Sequence, residues 1–258
     1  MMLPFHRAMR RLFIDAFVTH EVAPEQVEAR LRNAKHRPCA RQESERLQEW
    51  LQRRQINRLV HFTMLENVVP MMRLGLIPRD YLELEVVQLA LGALFTDDHR
   101  IEGKPQYSCL SITSPNYRMF YSKRQQLGRR WAVLELDPML LCRLYAEFAP
   151  TNAASGCISA SGAGGAERLF ALPALRDRLG LSAAEPTDPQ AEVLCDSIIS
   201  PENIVAIYVE QQVDADWLAR KGICARVDEQ PFRQRKDYAF WKSTNITQLP
   251  DFRRLGVA

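Results

Sequence analysis

A glutamine and a glutamate stand two residues apart in the stretch TDPQAEVLCDSI, Thr187–Ile198. The residues around Glu192 are typical of a strand, and side chains two apart on an extended strand point to the same face. Gln190 and Glu192 are therefore predicted to share one face. A carboxylate beside an amide suits proton transfer or the stabilisation of a developing positive charge. An edge strand with one solvated face is the alternative.

Two further polar residues are candidates for a site. His61 ends the strand-like run NRLVHF, directly before the helix-like TMLENVVPMMRLG, and such junctions often carry ligand-binding groups. Arg100 lies in DDHRIEG, and its guanidinium presents a fork of donors that suits phosphates. All three residues also have a plainer interpretation. His61 would be a hydrogen-bonded core histidine, Arg100 a surface ion pair with the neighbouring aspartates, and Glu192 a surface charge.

The composition is that of a globular protein. The chain has 258 residues, of which 47% are hydrophobic and 25% charged. No apolar run approaches the roughly 18 residues that span a bilayer, and the N-terminus has no signal-peptide pattern. The six cysteines form no CxxC pair, so we expect reduced thiols and no metal. These features predict a cytoplasmic protein without a membrane partner.

Strand-like and helix-like segments are mixed without a regular rhythm, which predicts an α+β fold. Residues 1–55 look helical, and the pattern changes at Asn57. YSCLSIT reads as a strand, followed by the helix-like SPNYRMFYSKRQQLG. Neither GxGxxG nor GxxxxGK[ST] occurs, so the fingerprints of dinucleotide-binding and P-loop folds are missing. The small-residue segment Asn152–Ala166 predicts a mobile loop, which either gates a site or is disordered.

The C-terminal segment RQRKDYAFWKS mixes cations with aromatic residues. Bases stack on aromatic rings and phosphates pair with cations, so the segment suits a single-stranded nucleic acid. Arg235, Lys236 and Trp241 are the candidate contacts. A terminal segment that packs its aromatics inward explains the same pattern equally well.

The ordered set of motifs resembles the DarT family of NAD-dependent nucleic-acid ADP-ribosyltransferases. RLVHFTMLENVVPMMRLGLIP is similar to the family's opening strand, helix and Gly-Leu turn. Arg100 follows downstream, near YSCLSITSPNYRMF, and TDPQAEVL is similar to the late motif with the catalytic glutamate. The resemblance covers roughly residues 56 to 210. It implies an ADP-ribosyltransferase-like domain over 56–258 with a central split β-sheet, behind a helical extension over 1–55.

The resemblance also implies roles for individual residues. Glu192 and Arg100 are expected to be catalytic, and Gln190 to hold the acceptor base. The expected NAD contacts are His61, Phe62, Thr63, Arg100 and Tyr107. Phe62 or Tyr107 is expected to stack on nicotinamide, although a position in the core explains either ring at least as well.

NAD is the expected co-substrate, with no metal, and single-stranded DNA the expected acceptor. LSITSPN lacks the aromatic-rich run of the thymidine-modifying branch, so this sequence is more similar to the guanosine-modifying branch of the family. RNA or a protein remains an alternative acceptor. Two alternative functions also remain: an inactive nucleic-acid-binding module and an antitoxin-like scaffold. For a toxin of this type, with a role such as phage defence, the resemblance implies a macrodomain antitoxin as partner.

Overall fold

The structure is a computed structural model that describes residues 37–78, 107–155, 157–249 and residue 252. Arg100 and the first part of the predicted N-terminal extension lie outside the described residues. The strands are β1 (Leu59–Met64), β2 (Ser108–Ile112), β3 (Trp131–Leu136), β4 (Ala146–Ala149), β5 (Ala160–Ser161), β6 (Glu192–Cys195), β7 (Ile204–Val209) and β8 (Arg226–Val227). The helices are α1 (Arg41–Arg53), α2 (Val68–Leu74), α3 (Tyr117–Leu127), α4 (Leu140–Arg143), α5 (Gly162–Glu167), α6 (Pro173–Arg178), α7 (Gln212–Ala219) and α8 (Tyr238–Ser243).

The strands form one sheet in the order β5-β4-β6-β2-β1-β3-β7-β8. Neighbouring strands are antiparallel except β7 and β8, which run parallel. β1 pairs with β3 along its whole length, but its pairs with β2 are Leu59 with Ile112 and Val60 with Ser111. Beyond these pairs the sheet divides between β1 and β2. The predicted α+β fold with a split central sheet is thus confirmed.

Helix α1 packs into the main core on one face of the sheet. Its sequence places Leu47, Trp50 and Leu51 on one stripe, as the periodicity predicts, and all three are buried. The Trp50 ring meets Phe148 of β4 and Phe170 edge-on, at centroid distances of 6.0 and 5.8 Å. The described part of the predicted extension therefore packs in the same core as the sheet, and the boundary at residue 56 stays a prediction.

The opposite face of the sheet carries an aromatic cluster with smaller apolar neighbours, and its rings are Phe62, Phe120, Trp131, Tyr208 and Phe232. Phe120 comes from α3, which begins after an Asn116 cap and ends at Gly128, whose φ of 53° lies in the left-handed region. The cluster fixes α3 against β1 and β3.

The segment Asn152–Ala166, predicted as a mobile loop, contains ordered elements instead. Its second half forms β5 and the short helix α5. Glycine is needed there because a Cβ at Gly165 would lie 2.2 Å from the Ala160 carbonyl oxygen. Glu43 of α1 accepts the Ala163 N–H at 3.1 Å. Close packing against α1 therefore outweighs the low helix propensity of the three glycines in α5.

All six cysteines lie in the described part of the chain, and each is a free thiol. Within the same residues, no helix has the length and apolar character needed to cross a membrane. No group of three or more metal-ligating side chains occurs among them.

Candidate active site at the split of the sheet

Three segments from distant parts of the chain meet as neighbouring strands. VHFT lies in β1, SCLSI forms β2, and the glutamate of QAEVL begins β6; β2 pairs with both other strands. Val60 pairs with Ser111, and Leu110 with Val193. If the β2–β6 register continues by one residue past the Leu110–Val193 pair, Ser111 lies opposite Glu192. Glu192 therefore lies in the row where β1 and β2 are still paired, next to the start of the split.

Glu192 is mostly shielded from water, with 8% of its surface exposed. Its neighbour Val193 belongs to the main core, so strand alternation points Glu192 to the face with the aromatic cluster. There its Oε2 accepts the Ala153 backbone N–H at 3.1 Å. Partial desolvation strengthens the interaction of this carboxylate with a positive charge that develops nearby.

Gln190 does not share a strand with Glu192, which corrects the sequence prediction. It lies in a turn in which the Ala191 N–H donates to the Asp188 carbonyl at 3.1 Å. The Asp188 Oδ1 accepts the Gln190 N–H at 2.8 Å. Aspartate readily forms such a turn with the backbone two residues on, and this local bond prevails over strand alternation.

His61 lies where β1 and β2 begin to diverge, one residue past the Val60–Ser111 pair. Its Nδ1 is 2.9 Å from the Cys109 carbonyl oxygen of β2. A carbonyl only accepts, so Nδ1 carries a proton, and in the neutral ring Nε2 is the acceptor. The half-buried imidazole thus bridges the two parting strands.

Phe62 and Thr63 have different surroundings. Phe62 is half-buried on the Glu192 face, and its ring stacks on Phe120 with centroids 4.6 Å apart. Thr63 is 3% exposed, and its hydroxyl accepts from the Asn67 side chain at 3.1 Å. The Thr63 hydroxyl is therefore buried, whereas part of the Phe62 ring stays accessible. Their assignment to NAD stays a prediction.

Tyr107 belongs to a polar cluster that sequence analysis missed. Its hydroxyl donates to Glu147 Oε1 of β4 at 2.8 Å, and Ser159 donates to Glu147 Oε2. Burial, followed by the bond to Glu147, raises the pKa of Tyr107 well above its usual range. Glu147 escaped detection because YAEFAP has no motif character; only the strand register brings it near Glu192.

The C-terminal candidates fall into two groups. Arg235 is 7% exposed and Trp241 is fully buried, and both donate to Asp237. In this conformation neither presents a surface to nucleic acid, so the packing alternative for this segment is favoured and their assignment to DNA is corrected. Lys236 is exposed, although its Nζ donates to the Gly180 carbonyl.

Similar folds occur among solved structures. The chain is similar to Thermosipho africanus DarTG in complex with ADP-ribose, with a TM-score of 0.48, 16% identity, and coverage of 68% of this chain and 51% of that chain. It is also similar to Thermus sp. 2.9 DarT in complex with NAD+ (TM-score 0.45, 15% identity, 66% of this chain and 92% of that chain). A third is Thermus sp. 2.9 DarT in complex with ADP-ribosylated ssDNA (TM-score 0.46, 14% identity, 67% and 95%).

The chain spans about half the length of the DarTG protein that it matches. No protein-family model matches the sequence, and no curated protein matches it significantly. The similar solved structures reported above are of proteins named DarTG or DarT.

Proposed function

We propose that this protein is an NAD-dependent ADP-ribosyltransferase that modifies a nucleobase of single-stranded DNA. The observation that carries the proposal is the convergence of the motif segments. VHFT, YSCLSIT and QAEVL are separated by long stretches of sequence, yet they form the adjacent strands β1, β2 and β6 beside the split. A chance match of short motifs gives no reason for them to meet in space.

The proposed reaction exchanges one bond at the anomeric carbon of the nicotinamide-side ribose. The bond from this carbon to the nicotinamide nitrogen breaks, and its electron pair neutralises the pyridinium charge. A bond to a nitrogen or oxygen of the base forms, and the base loses a proton. Glu192 stabilises the positive charge that builds up on the ribose, as carboxylates do in glycoside cleavage, and accepts the proton.

The surroundings of the split fit NAD as the co-substrate. His61 and Phe62 are half-buried there, so an imidazole and an aromatic ring are available to a bound nucleotide. Phe62 shares the Glu192 face and is the favoured partner for nicotinamide stacking. The roles of Arg100, Thr63 and Tyr107 toward NAD rest on the resemblance.

Single-stranded DNA is the proposed acceptor because a base inside a duplex hides its reactive edge. The half-buried Gln190, two residues before the catalytic glutamate, is proposed to hold that base. The Thermus DarT protein has been solved with ADP-ribosylated ssDNA. By the same resemblance we propose a cytoplasmic toxin role and a macrodomain antitoxin as partner.

The test is transfer of label from adenylate-labelled NAD. Purified protein is incubated with single-stranded DNA, duplex DNA, RNA or protein extract, and oligonucleotides with a single guanine or thymine identify the base. Glu192→Gln keeps an oxygen for the Ala153 N–H and is expected to lose at least about 100-fold in rate. Glu229→Gln is the control, because Glu229 is an exposed carboxylate that pairs with Arg233.

Label on single-stranded DNA that depends on Glu192 supports the proposal. Label on RNA or protein retains the chemistry and rejects the acceptor. Undiminished transfer by Glu192→Gln rejects the mechanism.

A further inference from the structure

The chain that approaches Glu192 belongs to no strand or helix: side chains bind most of its carbonyls, and the Thr187 N–H donates to the Leu169 carbonyl at 2.8 Å. We name Ser182–Asp188 the approach segment. Arg176 of α6 donates to the carbonyls of Ser182, at 2.7 Å, and Glu185. Arg235 donates to the carbonyls of Pro186 at 2.7 Å and Thr187 at 3.0 Å. Two buried guanidinium groups therefore hold successive parts of one irregular segment, Arg176 its first four residues and Arg235 the two residues that follow.

Arg235 is itself fixed within the C-terminal segment. Its Nε donates to Asp237 Oδ1 at 2.8 Å, while a terminal nitrogen donates to Oδ2. Trp241 Nε1 also donates to Asp237 Oδ2, at 2.7 Å. All three residues are buried, and a paired guanidinium in such surroundings has one orientation.

The approach segment ends in the turn that begins β6. Asp188 is fully buried, and its carboxylate and carbonyl accept the N–H groups of Gln190 and Ala191. The residue after this turn is Glu192. Since Arg235 holds the carbonyl of Thr187, directly before the turn, a shift of its guanidinium is transmitted through few bonds to the carboxylate.

We propose that Arg235 is a positioning residue for Glu192 and Gln190, which makes the C-terminal segment part of the active-site scaffold. The proposal rests on the proposed function for its catalytic consequence. Arg235 touches no substrate: it acts through Thr187 and the Asp188 turn. Displacements of about 1 Å at a catalytic group are enough to cost about 100-fold in rate.

The distinguishing variant is Arg235→Lys. A lysine keeps the positive charge beside Asp237, but a single ammonium cannot span both carboxylate oxygens and both carbonyls. We expect kcat for transfer to fall about 10- to 100-fold, with the KM for NAD changed less than about threefold. Arg176→Lys is the matched control: it removes comparable carbonyl bonds earlier in the segment, at Ser182 and Glu185, and kcat should fall less than about threefold.

A second measurement keeps the proposal testable whether or not the protein is an enzyme. Hydrogen exchange of the Gln190 and Ala191 amides is compared with that of the β3 amides. The comparison uses wild type, both lysine variants and Trp241→Phe, and the last of these removes one donor to Asp237. Arg235→Lys should accelerate exchange at Gln190 and Ala191 at least about tenfold over β3, and Trp241→Phe should do so to a smaller extent.

The outcomes separate the two proposals. Equal loss of kcat in the two lysine variants, or unchanged exchange at Gln190 and Ala191, overturns the positioning role. If wild type transfers no ADP-ribose, the proposed function fails while the exchange data still decide whether Arg235 holds the turn. If Arg235→Lys does not fold, the exchange in Trp241→Phe decides it.

Discussion

Glu147 and Glu192 lie on the same face of neighbouring strands. Ala149, two residues after Glu147, pairs directly with Glu192 in the β4–β6 ladder. Such diagonal neighbours are about 7–8 Å apart at their backbones. The site therefore has a second carboxylate next to the proposed catalytic one, but hydroxyl donors from Tyr107 and Ser159 bind both oxygens of Glu147. These donors indicate a supporting role for Glu147.

The two carboxylates should respond differently to the same isosteric change. Glu192→Gln should lower the transfer rate at least about 100-fold with little change in stability, because the reacting charge is lost while the Ala153 contact is kept. Glu147→Gln should cost about 1–2 kcal/mol in unfolding free energy and less than about tenfold in rate. Initial rates and urea unfolding measure both. A larger rate loss for Glu147→Gln would reverse the assignment.

Tyr107 should matter for folding more than for NAD. Tyr107→Phe removes the donor to Glu147 and should lower the unfolding free energy by about 1 kcal/mol. Because one bond links the two residues and alanine leaves no acceptor for the hydroxyl, the double variant Tyr107→Phe/Glu147→Ala should be less destabilised than the sum of the single variants. Urea unfolding of the four proteins tests this; additive losses would mean that the hydrogen bond contributes nothing.

Phe62 is expected to bind nicotinamide. Phe62→Leu keeps an apolar side chain on β1 but loses the aromatic face, so the KM for NAD should rise about 3- to 10-fold, which corresponds to a stacking energy of about 0.5–1.5 kcal/mol. Phe232→Leu is the matched control, since Phe232 packs on the same Phe120 ring with centroids 5.8 Å apart. Equal effects of the two changes on KM would show that Phe62 supports the aromatic cluster alone.

Much of the fold follows from local sequence patterns. The apolar stripe at Leu47, Trp50 and Leu51 predicts α1, and the short apolar run in RWAVLELD predicts β3. No local pattern encodes the point at which two strands part. The split between β1 and β2 is therefore an expectation from the resemblance alone. The packing of α1 against Phe148 is a long-range contact of the same kind.

The sequence predicts the strand position of Glu192, but it misplaces residues whose neighbours form local hydrogen bonds that override the strand pattern. Glu192 begins a strand as expected. Strand alternation predicts that Gln190 shares this strand, but the Asp188 side chain forms a turn there instead. Arg235 and Trp241 looked like a nucleic-acid surface because composition does not show which cations are enclosed. Asp237 in the same segment was the available signal, since a carboxylate two residues from Arg235 provides a buried partner.

Asp188 should make stability depend on pH in an unusual direction. Burial raises the pKa of Asp188 from 3.8 to about 6, although the Gln190 N–H, the Thr151 hydroxyl, Arg235 and Arg118 oppose the rise. Between these two values the folded state holds a proton that the unfolded state has released, so stability from this group falls as pH rises. The full effect is about 3 kcal/mol, at 1.36 kcal/mol for each pH unit.

The variant Asp188→Asn isolates this effect, because it keeps an oxygen acceptor for the Gln190 N–H and never ionises. Urea unfolding of both proteins at pH 4 and pH 7.5 cancels the contributions of the other titrating groups. Relative to Asp188→Asn, wild type should lose up to about 3 kcal/mol of unfolding free energy as pH rises from 4 to 7.5. A difference that does not change with pH, or that favours wild type at high pH, would mean that Asp188 is ionised in the folded protein and paired with Arg235 or Arg118.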